Sequence, residues 1–398
     1  MSNKAIIEHS LKAIGLPYKG SDPNGSYIQQ WDADLIEFTK NIEKFYEDNR
    51  QTDGEFAKKL QILKEIEDYL IKQVFNKRIN ERLYEIKAVV PFGSSNSGLG
   101  MKGGDLDLII CVYPPLRQGD EVEMKRRTND ILTVIHEKIK SKEMLRNRRF
   151  EDLEHREKAR VPIVTGKVDG IDLDISISMT QLVCAQYLSS KYIDAYEKYD
   201  RRFILLAAFV KEWQNSEKEG KDDEYCRAVF PNSCSTVLLV TFFMKYHNLL
   251  PHVTTKHNGS SLTEEVCNDR LGEAYVTWAK VRQGENGAFG AQNLEVNNWK
   301  RSNFCQVSVG TLFLLFLHFY TTVIDFKTQR LEMERATAKP KSGNDAPNQI
   351  VIEDVIDKQN PAGSVTDIDA YKQYLQKALK IIKTVKGKDI FDRLLGED

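Results

Sequence analysis

The segment FGSSNSGLGMKGGDLDLII at residues 92–110 constrains the fold of this chain more than any other. It joins a Gly-Ser pair to a flexible glycine-bearing stretch and then to two aspartates at the head of an apolar run. Apolar residues at 88–92 and 106–112 predict two buried strands of one sheet. Because alternate side chains of a strand share a face, Asp105 and Asp107 are expected to lie side by side.

Two adjacent carboxylates repel each other unless a cation lies between them. Mg²⁺ takes oxygen ligands from one or two carboxylates together with substrate phosphates. Gly93 allows the backbone to approach a phosphate closely, and Ser94 can donate both its N–H and its hydroxyl. An Asp-Leu-Asp triplet alone is more typical of a solvated strand end, but the whole segment predicts a site for metal and triphosphate.

A second acidic pair follows in ARVPIVTGKVDGIDLDISIS at residues 159–178. Residues 159–164 and 171–177 are typical of a β-hairpin with its turn region at 167–170. Asp172 and Asp174 fall on the second strand and on the same face. The pattern therefore offers a further carboxylate near the first pair.

Taken in order, these motifs resemble the nucleotidyltransferase superfamily that includes DNA polymerase β and the terminal RNA nucleotidyltransferases. The family's valine-proline-isoleucine strand and Asp-hydrophobic-Ser strand match Val161–Ile163 and Asp174–Ser176. The resemblance implies that Asp174 is the third acid and that Asp172 is a solvated residue at the strand start. It also implies an α+β fold, with a polymerase β-like catalytic domain built from a mixed sheet and covering helices.

The second half of the chain reads as helical and resembles the poly(A)-polymerase-associated domain of cytoplasmic poly(A) polymerases and terminal uridylyltransferases. The stretches that carry this resemblance are 199–213, 232–251, 308–326 and 350–365. The expected organisation is an N-terminal helical segment that packs on the helical domain, a catalytic domain, and a mainly helical domain, with the active site in the cleft between the last two. The expected bounds are 1–69, 70–185 and 186–398, with 334–348 as a mobile polar loop.

The resemblance also assigns roles to individual residues. Gly93 and Ser94 would hold the β- and γ-phosphates, while Asp105, Asp107 and Asp174 would bind Mg²⁺ or Mn²⁺ and carry catalysis. Lys211 would neutralise the triphosphate tail. The remaining nucleotide-binding positions lie near the base: Ser233, Cys234, Asp354, Asp357 and Asn360.

Two departures from the family bear on base choice. Cys234 stands where the family has a tyrosine that stacks on the base, which leaves weaker stacking. Asn360 stands where uridylyltransferases carry a histidine, and a small amide leaves room for a purine. The expected activity is template-independent addition of nucleotides from NTPs to an RNA 3′-hydroxyl, not restricted to U. Poly(A) tails or mixed U and G tails, as in nematode poly(UG) polymerases, fit this pattern; a terminal uridylyltransferase is the alternative.

The composition bears on partners and location. Lys and Arg number 57 against 58 acidic residues, whereas a protein that holds a polyanion tightly by itself usually has a basic surplus. A local basic channel or a protein partner that recruits the RNA is therefore expected. Six cysteines without CxxC spacing favour a reducing compartment, either the cytoplasm with its RNA granules or the nucleus. The apolar stretch 307–326 is interpreted as a buried helix, and no membrane partner is expected.

Two other classes share parts of this pattern. Cyclic-dinucleotide and 2′-5′-oligoadenylate synthases have Gly-Ser and paired acids but lack a motif like the IEDV at 352–355. A catalytically inactive scaffold of the same fold would typically lose a metal carboxylate, and all three are present here.

Overall fold

The computed structural model describes most of the chain from residue 35 onward. The described residues are 35–75, 77–113, 121–159, 161–179, 190, 193–194, 196–197, 199–250, 253–257, 260–261, 294–296, 307–354, 360–385, 387 and 389–396. The candidate residue Asp357 lies outside them.

The regular elements are numbered here in chain order. The α-helices are α1 Ile36–Asn49, α2 Asp53–Tyr69, α3 Glu121–Lys140, α4 Arg201–Lys218, α5 Asp223–Val229, α6 Ser233–Tyr246, α7 Val309–His318, α8 Ile368–Thr384 and α9 Asp389–Leu395. The strands are β1 Arg78–Ile79, β2 Arg82–Leu83, β3 Glu85–Phe92, β4 Leu106–Tyr113, β5 Phe150–Arg156, β6 Ile163–Val168, β7 Ile171–Ser178, β8 Val253–His257, β9 Ser260–Ser261, β10 Leu294–Val296, β11 Gln329–Glu332, β12 Thr337–Pro340 and β13 Ile352–Glu353. Short π-helical turns, Leu70–Val74 and Phe319–Val323, extend α2 and α7.

Packing divides the chain into two units. The sheet unit comprises the described residues of 49–195 and 255–294, and the helical unit comprises those of 35–48, 196–254 and 295–398.

A five-stranded sheet in the order β3-β4-β7-β6-β5 forms the centre of the sheet unit. The β4–β7 pair is parallel and the other three pairs are antiparallel, so the sheet is mixed, as expected. The expected hairpin is β6 and β7, joined at a tight turn in which Asp169 and Gly170 both have positive φ. Two-residue hairpin turns of this kind match the twist of the flanking strands.

The core of the sheet unit forms where apolar side chains of β4 meet two helices. Leu108 and Ile110 are fully buried, and they belong to one cluster with the apolar faces of α2 and α3. The faces that contribute are Ile62, Leu63 and Ile66 of α2 and Ile131, Leu132, Ile135 and Ile139 of α3. Because α2 completes this core, packing begins the unit at residue 49, whereas the sequence placed the boundary after residue 69.

The helical unit includes α1. The Phe38 ring of α1 makes edge contacts with Phe209 of α4 and Phe313 of α7. Every residue of α7 is buried, which confirms the buried helix expected for this apolar stretch. Residues Asp223–Tyr246 are also long and apolar enough to span a membrane, but 67% of their most apolar 18-residue window is buried in the protein, as is typical of a core helix.

The segment 334–348 contains a strand in place of the expected mobile loop. β12 pairs with β11 in an antiparallel hairpin, and β13 joins β11 in parallel. The ammonium of Lys341 donates to the carbonyls of Ala346, Pro347 and Gln349, and the Asp345 carboxylate accepts from Ser342. These polar residues satisfy the backbone of the segment, so its composition does not indicate an unstructured loop.

Candidate active site

Two of the predicted acids lie on neighbouring strands at the same level of the sheet. Asp107 of β4 is the register partner of Asp174 of β7 in the parallel pair. Neighbouring strands of a sheet lie about 4.8 Å apart, so these two residues are adjacent across the ladder. The next residue of the same face, Ser176, donates its hydroxyl to the Leu108 carbonyl at 3.1 Å and ties β7 to β4.

The other two acids of these motifs are less enclosed. Asp105 immediately precedes β4 and is exposed, while Asp107 and Asp174 are half-buried. Asp172 is the register partner of Lys167, and their side chains form an ion pair at 3.3 Å with about half of the aspartate exposed. This geometry agrees with the interpretation of Asp172 as a solvated strand-start residue.

Gly93 lies directly against the Asp107 carboxylate. Its backbone has φ 72° and ψ −157°, a conformation that L side chains rarely adopt. A Cβ placed here would overlap the Asp107 Oδ2 atom and lie 3.2 Å from its Cγ. The glycine of the Gly-Ser pair is therefore required both by its backbone conformation and by the acid beside it.

The Gly-Ser pair opens a short 3₁₀ turn, Ser94–Asn96, that leads away from β3. The carbonyl of Ser94 accepts from the amide and the hydroxyl of Ser97, and the buried Asn96 donates to the Pro91 carbonyl at 3.2 Å. Among the described residues, no side chain or carbonyl accepts from the Ser94 hydroxyl. Its hydroxyl is therefore available to a ligand beside Gly93.

A buried lysine that the sequence analysis did not identify lies behind this turn. Lys59 of α2 is 2% exposed, and its ammonium donates to Gln51 Oε1 at 2.6 Å and to Ser95 Oγ at 2.8 Å. The Ser95 hydroxyl in turn donates to the Asp105 carbonyl at 2.7 Å. Burial lowers the pKa of the Lys59 ammonium, and the carboxylates of Asp105, Glu55 and Asp107 oppose that shift.

The glycine-bearing stretch between the turn and the acids is held by the residues that precede α2. Gln51 N–H donates to the Gly100 carbonyl at 2.8 Å, and Lys102 N–H donates to the Asn49 carbonyl at 2.6 Å. Arg50 and Met101 form a β-bridge between these hydrogen bonds. The stretch was expected to be flexible, but the structure pairs it with residues 49–51.

Three of the predicted nucleotide-binding residues lie on two helices of the helical unit. Lys211 is half-buried on α4, three residues before Gln214. Gln214 accepts from the Thr236 hydroxyl of α6 at 2.6 Å. Ser233 and Cys234 are exposed in the first turn of that same helix.

The start of α6 is joined to the loop that carries Asn360. The side chain of Asn232 caps α6 by accepting from the Ser235 amide, and it donates to the Pro361 carbonyl at 2.9 Å. The structure therefore brings Ser233, Cys234 and the Asn360 loop together. Asp354 is half-buried at the end of β13.

The side-chain amide of Asn360 is engaged with the backbone of its own loop. Its Oδ1 accepts from the amides of Ile352 at 3.1 Å and Ala362 at 3.0 Å, and its Nδ2 donates to the Ile350 carbonyl at 2.9 Å. The residue was expected to offer its donor and acceptor to a base. In this structure its Oδ1 and one of its two N–H groups bond to the backbone, so the side chain shapes the loop.

The three predicted acids of the sheet unit are suitable ligands for a divalent cation that prefers oxygen. Asp105, Asp107 and Asp174 provide only carboxylate oxygens, the ligand type that Mg²⁺ and Mn²⁺ favour. Among the described residues, no three Asp, Glu, His or Cys side chains are already gathered around one point. The Asp107 carboxylate lies against Gly93, next to the Gly-Ser turn.

Residues 38–198 match a family described as "Poly(A) RNA polymerase, mitochondrial-like, central palm domain". A curated relative, "Poly(A) RNA polymerase gld-2 homolog A" of Drosophila melanogaster, is 23% identical over 295 residues, which are 71% of this chain. The chain spans about a fifth of the length of that relative, since the match covers 19% of it.

Solved structures of similar fold include mtPAP in complex with UTP, with a TM-score of 0.62, 13% identity, and coverage of 96% of this chain and 76% of that one. The GLD-2/RNP-8 complex gives a TM-score of 0.58 at 17% identity, covering 91% of this chain and 98% of that one. A cytoplasmic RNA terminal U-transferase gives 0.59 at 18% identity, covering 90% and 97%. These likenesses confirm the expected α+β fold, a polymerase β-like nucleotidyltransferase domain followed by a helical domain.

Proposed function

We propose that the chain, whose residues 38–198 match the palm-domain family, is a terminal RNA nucleotidyltransferase that adds ribonucleotides to RNA 3′-hydroxyl groups without a template. The observation that carries the proposal is the register pairing of Asp107 with Asp174, beside a Gly-Ser turn whose glycine has a positive φ and lies against the Asp107 carboxylate. On this proposal, those residues form the chemical centre of a metal-dependent phosphoryl transfer. The enzyme class is an RNA nucleotidyltransferase of the polynucleotide adenylyltransferase or terminal nucleotidyltransferase type.

We propose that Asp105, Asp107 and Asp174 hold Mg²⁺ or Mn²⁺ during the reaction. The bound metal supplies charge stabilisation for the attacking and leaving oxygens of the transferred phosphate. Asp174, on the neighbouring strand, is the acid assigned to the RNA 3′-hydroxyl. The Gly93 backbone and the Ser94 hydroxyl are assigned to the β- and γ-phosphates of the NTP, and Lys211 to the end of its triphosphate.

We further propose that the enzyme is not restricted to U and makes poly(A) or mixed U and G tails. Support comes from the helical unit, where Cys234 replaces an aromatic ring and no imidazole stands at 360. Because the Asn360 amide is committed to its loop, it would affect base choice through the shape of the loop at Ser233, Cys234 and Asp354 rather than by direct contact. Asp357 is assigned to the same base site.

The test of the reaction and of base choice is primer extension. Purified protein is incubated with a short RNA, Mg²⁺ or Mn²⁺, and each NTP singly and in pairs, and the products are sequenced. The proposal predicts tails that contain A, or U with G. Tails of U alone would identify the protein as a terminal uridylyltransferase. Short nucleotide products formed from NTPs without a primer would indicate an oligoadenylate or cyclic-dinucleotide synthase.

A protein partner is proposed to deliver the RNA. The formal charge of −1 leaves little non-specific attraction for a polyanion, and the GLD-2 of a structural neighbour was solved with RNP-8. The chain is expected to bind bare RNA weakly, with a strong dependence on salt, and to work in the cytoplasm. Tight, sequence-selective binding of RNA by the isolated chain at two salt concentrations would contradict this part of the proposal.

A further inference from the structure

We propose that Lys59 is a positioning residue for the acidic pair, because its ammonium holds the Ser95 hydroxyl that fixes the main chain at Asp105. The proposal rests on the proposed function, since it concerns the same carboxylates and the metal assigned to them. It adds a residue of α2, far from the motifs in sequence, to the structure of the site.

The first argument is the burial of a charge. Lys59 is 2% exposed, and taking an ammonium out of water is costly unless polar partners replace its hydration. Gln51 and Ser95 supply two acceptors at 2.6 and 2.8 Å. A lysine in this place for packing alone would be replaced at less cost by an apolar side chain.

The second argument is the direction of the hydrogen bonds. An ammonium has donors only, so the Ser95 hydroxyl must accept from Lys59 and is left to donate to Asp105. Gln51 completes the ring, because its Oε1 accepts from Lys59 while its Nε2 lies 3.4 Å from the Ser95 carbonyl as a donor. Lys59, Ser95 and Gln51 therefore all restrict the conformation of the segment that joins Gly93 to Asp105.

The third argument is that α2, the helix that carries Lys59, is fixed both at its start and in the core. α2 begins with a capping box in which the Thr52 hydroxyl accepts from the Glu55 amide and the Glu55 carboxylate accepts from the Thr52 amide. The Thr52 and Gly103 amides lower the pKa of that carboxylate, with the Thr52 contribution the larger, which links the helix start to the glycine-bearing stretch. One turn later, Ile62 and Leu63 anchor the helix in the core.

If Lys59 acted only through its charge, its removal would change the affinity for metal in the opposite direction from that expected of a positioning residue. A cation behind Asp105 and Asp107 weakens the attraction of these carboxylates for a metal, so its removal would strengthen metal binding. A positioning role predicts weaker binding on removal, because Asp105 loses its fixed backbone. The two roles are therefore distinguished by the sign of the change.

The experiment is a titration of metal-free protein with Mn²⁺, followed by the electron paramagnetic resonance signal of free Mn²⁺, without RNA or NTP. Ser95→Ala breaks the link and keeps the charge, and its Mn²⁺ dissociation constant is expected to rise about tenfold, the lower end of the effect of second-layer partners on metal sites. Lys59→Met is expected to weaken binding in the same direction, and Lys59→Arg to restore part of it. Lys58→Met, an exposed neighbour on the same helix, is the matched control and should bind like the parent.

Parent-like or tighter Mn²⁺ binding by folded Lys59→Met would overturn the proposal. If that variant does not fold, Ser95→Ala decides alone, and an unchanged dissociation constant overturns it. A parent protein that binds Mn²⁺ through its acids but does not extend RNA would remove the proposed function and leave the role of Lys59 standing. A parent that binds no Mn²⁺ would overturn both.

Discussion

Buried polar side chains serve different ends in the two units. Beside the acids of the sheet unit, Lys59 and Ser95 are buried at 2% and 7% exposure, and they hydrogen-bond each other and the main chain at Asp105. In the helical unit, His247 is buried among the rings of Phe243, Tyr246 and Phe319. Its Nδ1 has no hydrogen-bond partner in the described part of the chain.

The contrast separates residues that belong to the site from residues that only belong to the core. Burial of a polar group is costly in either place; hydrogen bonds offset the cost for Lys59 and Ser95, whereas the Nδ1 atom of His247 has no partner among the described residues. Changes near the acids are therefore expected to affect activity more than stability. Changes around His247 are expected to affect stability, and its dependence on pH, without involving catalysis.

The largest effect is expected from removing the acidic pair. Asp105→Ala combined with Asp107→Ala should lower the rate of RNA extension by at least about a thousandfold, or about 4 kcal/mol in the barrier, since only Asp174 remains of the three proposed metal ligands. The melting temperature should stay near that of the parent, because paired carboxylates without metal repel each other. Equal tailing by this variant in the primer-extension assay would show that the site assignment is wrong.

The next largest effect is expected at the glycine against Asp107. Gly93→Ala adds a Cβ that overlaps the carboxylate and strains a positive φ, so both the extension rate and the free energy of unfolding should fall. Gly170→Ala is the control, because Gly170 has φ +79° with nothing within 4 Å of an added Cβ. It should cost about 1 kcal/mol of stability and leave activity unchanged. Equal extension rates for the two variants would contradict the contact with Asp107.

The helical unit should respond to pH through His247. Burial lowers its pKa to about 4, with the nearby His318 adding to the shift. The unfolded chain therefore binds the proton more readily, and the stabilising contribution is present above the unfolded pKa of about 6.5 and lost as the pH falls toward 4. Over that window the free energy of unfolding should decrease by roughly 3 kcal/mol.

Thermal melting between pH 4 and 7 tests this dependence. His247→Leu should flatten the curve, because the titrating group is gone. In the sheet unit, burial also lowers the pKa of His155, but Glu157 at 3.5 Å opposes the shift, so His155→Leu should change the slope less. A larger change from His155→Leu than from His247→Leu would reverse the comparison between the units.

The smallest effect is expected from the acid that faces solvent. Asp172→Ala removes a surface ion pair with Lys167, which is worth about 0.5 kcal/mol or less. Its extension rate should stay within about twofold of the parent, a negligible free energy. Asp174→Ala, two residues along the same strand, should abolish extension, and loss of activity in both variants would contradict the assignment of the third acid.

Most of the sheet and its acids could be predicted because their signals are local. Apolar runs and a tight turn define β3, β4, β6 and β7, and the alternation of side chains places the acids on one face. The role of Lys59 depends on contacts with Ser95, 36 residues away, which local patterns do not encode. One signal was present, since Lys59 lies on the helical stripe of Ile62, Leu63 and Ile66, where a lysine is unexpected.

Composition led to a wrong prediction of a loop where polar side chains stabilise regular structure through hydrogen bonds to the backbone. The segment 334–348 is rich in Lys, Pro and Asn, yet Lys341 and Asp345 use their side chains to hold the backbone of a hairpin. Asn360 shows the same limit at the proposed base site. The sequence does not reveal that its amide hydrogen-bonds the backbone of Ile350, Ile352 and Ala362.

The central claim is that Asp105, Asp107 and Asp174 converge on one metal position beside Gly93. Crystals of the protein grown with Mn²⁺ and a non-hydrolysable NTP would test it most directly, through anomalous scattering at the manganese absorption edge. The account predicts an anomalous peak between Asp107 and Asp174, with the triphosphate at Gly93 and Ser94. Bound Mn²⁺ elsewhere, or nucleotide bound with no peak at these three carboxylates, would contradict it.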